Sequence, residues 1–250
     1  MLPRIAALLA CALFLTGCSL LGTAPSPVTT YTDATGESVT VDWADYPAAS
    51  WIDGELLLEA PDEKELEPTA RGLVAAVNDA IAEATGIRLE PLSSESTWFD
   101  EDNSYPQQGN GYGGESMLTT INCCELQADR VPPQGEWQAV VDAASRAAAE
   151  FGFGPLRFDE IDGDCNGREG CWLWSATATD GVQWLALSIS DAERDPSGQA
   201  QKDVEQFGWP PRTVSISYGA TVVRAGAKVG FAEAMQPFLG LERPAATTSD

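Results

Sequence analysis

Residues 171–190 read CWLWSATATDGVQWLALSIS, and the alternation of apolar and polar side chains on both sides of Asp180-Gly181 constrains the fold more than any other segment. A period of two marks a strand with one buried face, and Asp-Gly between two such runs predicts a hairpin closed by a two-residue type I′ turn. With Thr179 opposite Val182, counting outward pairs Ala178 with Gln183, Ala176 with Leu185, Trp174 with Leu187 and Trp172 with Ile189. That register gathers the large apolar residues, Trp172 and Trp174 included, on one face, which is assigned to the core. The opposite face carries Ser175, Thr177, Thr179, Ser188 and Ser190 and is mostly wet, with Leu173 and Trp184 as exceptions that can pack under a loop. Residues 213–223 repeat the pattern: Val214, Ile216, Tyr218, Ala220 and Val222 alternate with Thr213, Ser215, Ser217, Gly219 and Thr221. Weaker strand candidates lie at 51–59, 87–97 and 117–126.

Helical periodicity is clear in two places. Over 68–85, Leu73, Val77, Ile81 and Ala84 recur on one side, widened by Val74 and Ala80, with Pro68 in the first turn and Gly86 as the stop. Over 134–151, Trp137, Val140, Val141, Ala144, Ala148 and Phe151 form the stripe, after Pro132-Pro133 and before Gly152. Residues 228–238 suit a closing helix. Two amphipathic helices and an alternating sheet predict an α+β domain, a mainly antiparallel sheet with helices on one face, and the element order suits one ferredoxin-like unit or two merged ones.

The amino terminus is of another kind. Arg4 precedes an apolar run of 11 residues, 5–15, followed by Thr16 and Gly17. This is the grammar of a signal peptide, and the run is too short for a spanning helix, which needs about 20 residues. Leu15-Thr16-Gly17-Cys18 resembles the bacterial lipobox. The resemblance implies cleavage before Cys18, attachment of diacylglyceryl and fatty-acyl chains such as palmitate to that cysteine, and anchorage on the outer face of the cell membrane. Two acyl chains give stable attachment where one is marginal. The expected organisation is a signal peptide (1–17), lipidated Cys18 with a flexible Gly/Pro/Ser/Thr-rich tether (18–37), one α+β domain (38–243) and a polar tail (244–250). The tether's reach is about 25 Å if it is flexible.

Charge narrows the partners. The chain has 14 Lys+Arg against 38 Asp+Glu, a formal charge of -24. Removing the leader takes Arg4 with it and leaves 13 basic against 38 acidic residues, or -25. Nucleic acid is therefore not an expected partner, and an anionic leaflet repels the body of the protein, so the membrane is reached through lipid alone. Histidine is absent from the sequence, which excludes Ser-His-Asp and Cys-His relays and every zinc site that uses histidine.

Four cysteines remain after Cys18 is lipidated and Cys11 leaves with the leader: Cys123, Cys124, Cys165 and Cys171. In an oxidising compartment they are expected to form two disulfides. Adjacent strand residues point to opposite faces, which favours bonds from the Cys123-Cys124 pair to Cys165 and Cys171; a Cys165–Cys171 loop is the alternative. Asp162-Gly163-Asp164-Cys165-Asn166-Gly167 resembles the front half of an EF-hand-type loop, with Asp162, Asp164 and Asn166 as candidate calcium ligands. The back half is missing, since Leu173 stands at the position of the bidentate glutamate, and a solvated turn explains the same residues. Two long loops, 98–115 and 191–212, carry Trp98, Tyr105, Tyr112 and Trp209, the candidate ligand-binding aromatics.

The lipobox, the tether, the segments Asn122-Cys123-Cys124 and 165–174, and an Arg-over-Lys, Ala-rich composition together resemble the small envelope lipoproteins of actinobacteria, of which the mycobacterial LppA-like group is nearest. The resemblance implies an anchored envelope protein without catalysis or cofactor. The expected function is a non-enzymatic binding or structural module for an envelope protein or a small ligand. A carboxylate-based cell-wall hydrolase and a calcium-dependent binding module are the alternatives.

Overall fold

The computed structural model describes residues 25–160 and 166–248. Its centre is a seven-stranded antiparallel sheet in the order β3-β5-β9-β8-β7-β6, with β4 also paired to β5. The strands are β3 (Glu90–Pro91), β4 (Ser104–Pro106), β5 (Leu118–Ala128), β6 (Arg157–Phe158), β7 (Leu173–Thr179), β8 (Gln183–Asp191) and β9 (Arg212–Val223). A separate hairpin of β1 (Val28–Thr32) and β2 (Ser38–Asp42) precedes it. The α+β class is therefore as expected. The connections are not ferredoxin-like: β8 and β9 are direct antiparallel neighbours, and β5 and β7 lie at opposite ends of the four central strands. A split β-α-β unit instead sets one strand between two parallel ones.

Helices α2 (Leu66–Thr85) and α3 (Trp137–Ala149) pack on each other and on one face of this sheet. In α2 the buried stripe is Leu66, Ala70, Leu73, Val74, Val77 and Ile81, and the helix stops at Gly86, whose φ of 70° is the left-handed cap that glycine adopts without a Cβ penalty. Asn78 interrupts the stripe and is satisfied there: its amide donates to the Leu89 carbonyl and its oxygen accepts the Leu89 N–H, both at 2.9 Å. In α3 the stripe is Trp137, Val140, Val141, Ala144, Ala147 and Ala148. Each large apolar residue taken fully out of water contributes about 1.5–3 kcal/mol.

The hairpin of β7 and β8 keeps the expected faces with a different register. Thr179 pairs with Trp184, Ala178 with Leu185, Ala176 with Leu187 and Trp174 with Ile189. The last pair thus encloses four residues, Asp180 to Gln183, and not two, although Gln183 already pairs with Ala220 of β9. Asp180 is the cause: its carboxylate accepts the N–H groups of Val182 and Gln183 at 2.8 and 2.6 Å and the Gln183 side chain at 2.7 Å, so it closes a longer turn than type I′. The shift is two positions, and a shift of two returns every side chain to its own face. Trp172 is the exception, since it precedes β7, is only partly buried and leaves the core assigned to it.

Three other expectations change. Residues 51–59 are not a strand: Asp53 accepts the Glu55 N–H at 3.0 Å and caps α1 (Gly54–Glu59). Of 87–97, only Glu90–Pro91 enters the sheet. The flexible tether expected over 18–37 does not extend through 28–37, because β1 pairs with β2 from Val28–Asp42 to Thr32–Ser38, and the Trp43 indole donates to Thr29 at 2.9 Å.

The cysteines also differ from the favoured pairing. Cys123 and Cys124 are bonded to each other. The strand rule that disfavoured this ring fails because the ladder is broken there: Cys123 pairs with Tyr218 and Leu126 with Ile216, so β5 has one extra residue, and Cys124 has φ of 64°. A bulge removes the alternation on which the rule rests. Cys171 is also disulfide-bonded, and neither Cys123 nor Cys124 is its partner. Cys165, like Cys18, lies outside the described residues.

The chain closes with α5 (Lys228–Met235) and a 3-10 turn ending at Phe238. Phe238 joins Trp43, Tyr46 and Tyr112 in an aromatic cluster whose ring centroids lie 5.2–6.2 Å apart. The polar tail is held to this cluster: the Tyr112 hydroxyl donates to the Pro244 carbonyl at 2.9 Å, and the N–H groups of Thr247 and Thr248 donate to the Gly111 carbonyl. No helix among the described residues is long and apolar enough to cross a membrane.

Candidate functional site

Because α2 and α3 cover one face of the sheet, the other is left with the residues that alternate out of the core. Cross-strand pairing arranges them in rows. Thr179, Trp184, Gly219 and Asn122 form the first, Thr177, Ala186 and Ser217 the second, Ser175, Ser188, Ser215 and Gln127 the third, and Leu173, Ser190 and Thr213 the fourth. Small hydroxyl side chains dominate. Some are engaged within the protein: Ser175 donates to Asp159 at 2.5 Å, Ser190 and Thr213 bond each other at 2.8 Å, and Thr179 donates to the Gln183 carbonyl at 2.7 Å. Thr177, Ser188, Ser215 and Ser217 are partly exposed, and their hydroxyls have no hydrogen-bond partner among the described residues.

Trp184 stands in the first row. A Cβ on Gly219 would come within 2.2 Å of its six-membered ring and 2.6 Å of its Nε1, so the indole lies across β9 in the space that glycine leaves. It is partly exposed. A large aromatic ring at a position where the pattern demands a polar residue is a distinct signal, and it was legible in the alternation of 183–190.

At the far end of the same face is a groove of about 610 Å³. Its floor includes Gln127, Ser190 and Thr213, the third and fourth rows. Its walls are Trp172, Leu92, Ala192, three residues of α4 (Gln199–Phe207), Ala200, Asp203 and Val204, and the run Trp209-Pro210-Pro211. The acidic residues in the lining are Glu125 and Asp203, and no Lys or Arg is among them. Helix α4 is set in place by Asp195, which accepts the Ala200 N–H at 2.8 Å and the Ser197 N–H at 2.9 Å. The Ala200 bond is the largest cause holding the Asp195 carboxyl below its ordinary value. Arg212, next to the groove, is taken up by Glu193 and by Asp191 at 3.5 Å. Trp209 is 58% exposed and stacks on Phe207 with centroids 4.7 Å apart.

The four candidate aromatics do not converge. Trp209 belongs to this groove. Trp98 is buried under the Arg71 guanidinium, 5.2 Å from its ring centroid, and Tyr112 is buried in the aromatic cluster. Both anchor loop 98–115 rather than line a site. Tyr105 is exposed on β4, away from the groove lining. Of the calcium candidates, Asp162 and Asp164 lie outside the described residues. Asn166 ties its own turn to β7, since its amide donates to the Asp159 and Ser175 carbonyls at 2.8 and 2.7 Å and its oxygen accepts the Ser175 N–H at 2.8 Å.

No family model matches the chain. No curated protein matches it either. Among solved structures it is similar to the "putative lipoprotein LppA from Mycobacterium tuberculosis", with 9% identity, a TM-score of 0.39, and coverage of 79% of this chain and 90% of that one. A superposition this loose leaves the function to be read from the chain's own residues.

Proposed function

We propose that this protein is a lipid-anchored, non-enzymatic binding module of the cell envelope, and that its recognition site is the groove between the open sheet face and α4. The groove is the observation that carries the reading. Its volume of about 610 Å³ suits a small ligand or one segment of a chain, and it joins aromatic and proline walls to a short set of polar groups on the floor. Rigid aromatic and proline surfaces lose little entropy on binding, and an acidic lining in a chain of charge -24 disfavours anions.

The groove is tested with the chain from residue 19 onward, which contains every described element, and the uncharged probe N-phenyl-1-naphthylamine. The probe is expected to brighten on binding, and Trp209→Ala or Val204→Asp to weaken it by about 10-fold, the loss typical of an anchor residue. Equal fluorescence in the parent and both variants removes the groove as the site.

The anchor rests on the Leu15–Cys18 sequence and has its own test. Cys18→Ala is expected to move the protein from the membrane fraction to the soluble fraction on detergent phase separation, since about 0.8 kcal/mol per buried acyl CH₂ is lost at once. Unchanged partitioning sinks this part of the reading.

A further inference from the structure

We infer that the open sheet face binds an extended, uncharged glycan chain lying along β8, with Trp184 as one aromatic station and Trp172 and Trp209 as the other. This rests on the groove being a binding site and extends it to a ligand class. Ser190 stands six steps beyond Trp184 on β8, about 20 Å at roughly 3.3 Å per residue. A ligand engaging both stations is therefore elongated, longer than any single ring system.

The chemistry between the stations selects the class. A pyranose ring presents an apolar C–H face and a rim of hydroxyls. The aromatic stations match the face, and the unengaged hydroxyls of Thr177, Ser188, Ser215 and Ser217, with the Asn122 amide and the side-chain oxygen of Gln127, whose amide nitrogen donates to Asp129 at 2.9 Å, match the rim. A peptide strand is matched less well, because this is a sheet face and not an edge, so it offers no backbone ladder to extend. Charge complementarity removes polyanions. Arg157, on the edge strand β6, is the one basic residue that the pairing sets in these rows among the described residues, against Glu125 and Asp203 at the groove. Phosphorylated or sulfated chains meet an acidic protein with no cluster of cations to neutralise them.

Gly219 makes the idea testable without removing an aromatic side chain. Any Cβ there displaces the Trp184 indole, while the backbone of Gly219 needs no left-handed conformation. The experiment titrates the chain from residue 19 onward, by calorimetry, with β-1,4-linked glucose and N-acetylglucosamine tetramers, an α-1,4-linked glucose tetramer, the matching dimers and a sulfated tetrasaccharide. At least one neutral tetramer is expected to bind with a Kd below about 1 mM, and about 10-fold more tightly than its dimer because only the tetramer reaches both stations. Trp184→Ala and Gly219→Ala are each expected to weaken the tetramer by about 10-fold, the scale of one lost stacking contact, with circular dichroism unchanged.

Absence of binding by every neutral tetramer at about 10 mM overturns the inference, as does equal binding by the sulfated chain. So does full affinity in both folded variants. Probe binding in the groove separates the two readings: if it persists while the tetramers fail, the glycan class falls and the groove stands.

Discussion

Asn110→Ala is expected to lower the stability of the fold by about 3–5 kcal/mol, among the largest effects a single polar substitution has. Asn110 is fully buried. Its amide nitrogen donates to the carbonyls of Trp43 and Ala44, both at 3.0 Å, and Tyr46 at 2.8 Å, and its oxygen accepts the N–H groups of Tyr112 and Gly114 at 2.9 and 3.0 Å. Alanine leaves four backbone groups without a partner, each costing roughly 1–3 kcal/mol less whatever water recovers, while the Trp43 carbonyl keeps the Tyr46 N–H at 3.1 Å. Asp in its place keeps the acceptor but turns a carboxylate toward three carbonyls, and is expected to do no better. The site has no slack: a Cβ on Gly114 would sit 1.7 Å from the Ala44 carbonyl oxygen. In urea the midpoint falls with an unchanged slope, and Tm drops by about 10 °C, given roughly 2–4 °C per kcal/mol for a domain of this size. A loss below about 1 kcal/mol means that the 109–115 turn is not tied to 43–46 in this way.

Nothing in the sequence singles out Asn110, because the three carbonyls it donates to lie 64–67 residues away and are backbone groups, which one sequence does not mark. The same reason hides the docking of the tail on Gly111. What was legible follows from period. The stripes of α2 and α3 and the faces of β7, β8 and β9 were all set by which side chains alternate or recur, and burial enforces such patterns strongly. What failed was local chemistry that overrides period. Asp180 drew two N–H groups to its carboxylate and lengthened a turn, Asp53 capped a helix where a strand was expected, and a bulge let Cys123 bond Cys124.

The candidate site was legible in half. Trp209 stands in a long loop and does line the groove, but Trp98 and Tyr112 stand in a long loop too and are buried. Loop membership does not tell an aromatic that faces solvent from one that pins the loop down. Trp184 carried the better signal, an aromatic ring on the hydroxyl face with glycine opposite it across the strand pair. A local pattern is informative when it contradicts the face it stands on.

The α3 stripe supports the second large prediction. Trp137 is fully buried at the first residue of α3, edge-on to Trp174 on β7 with centroids 5.5 Å apart, and its indole donates to the Pro132 carbonyl at 3.1 Å. Trp137→Ala therefore removes a large apolar volume and a helix-to-sheet contact in one step and leaves the Pro132 carbonyl unpaired. The expected cost is about 3–5 kcal/mol. Trp137→Phe keeps most of the volume and the edge-on contact, so it is expected to cost about 1–2 kcal/mol, mainly the indole hydrogen bond. Measured side by side by urea unfolding, the two variants separate packing from hydrogen bonding. Equal losses assign the stability to the N–H···O bond, whereas a small loss in both means that α3 does not take its place on β7 from Trp137, and the face opposite the open one would then owe its cover to α2.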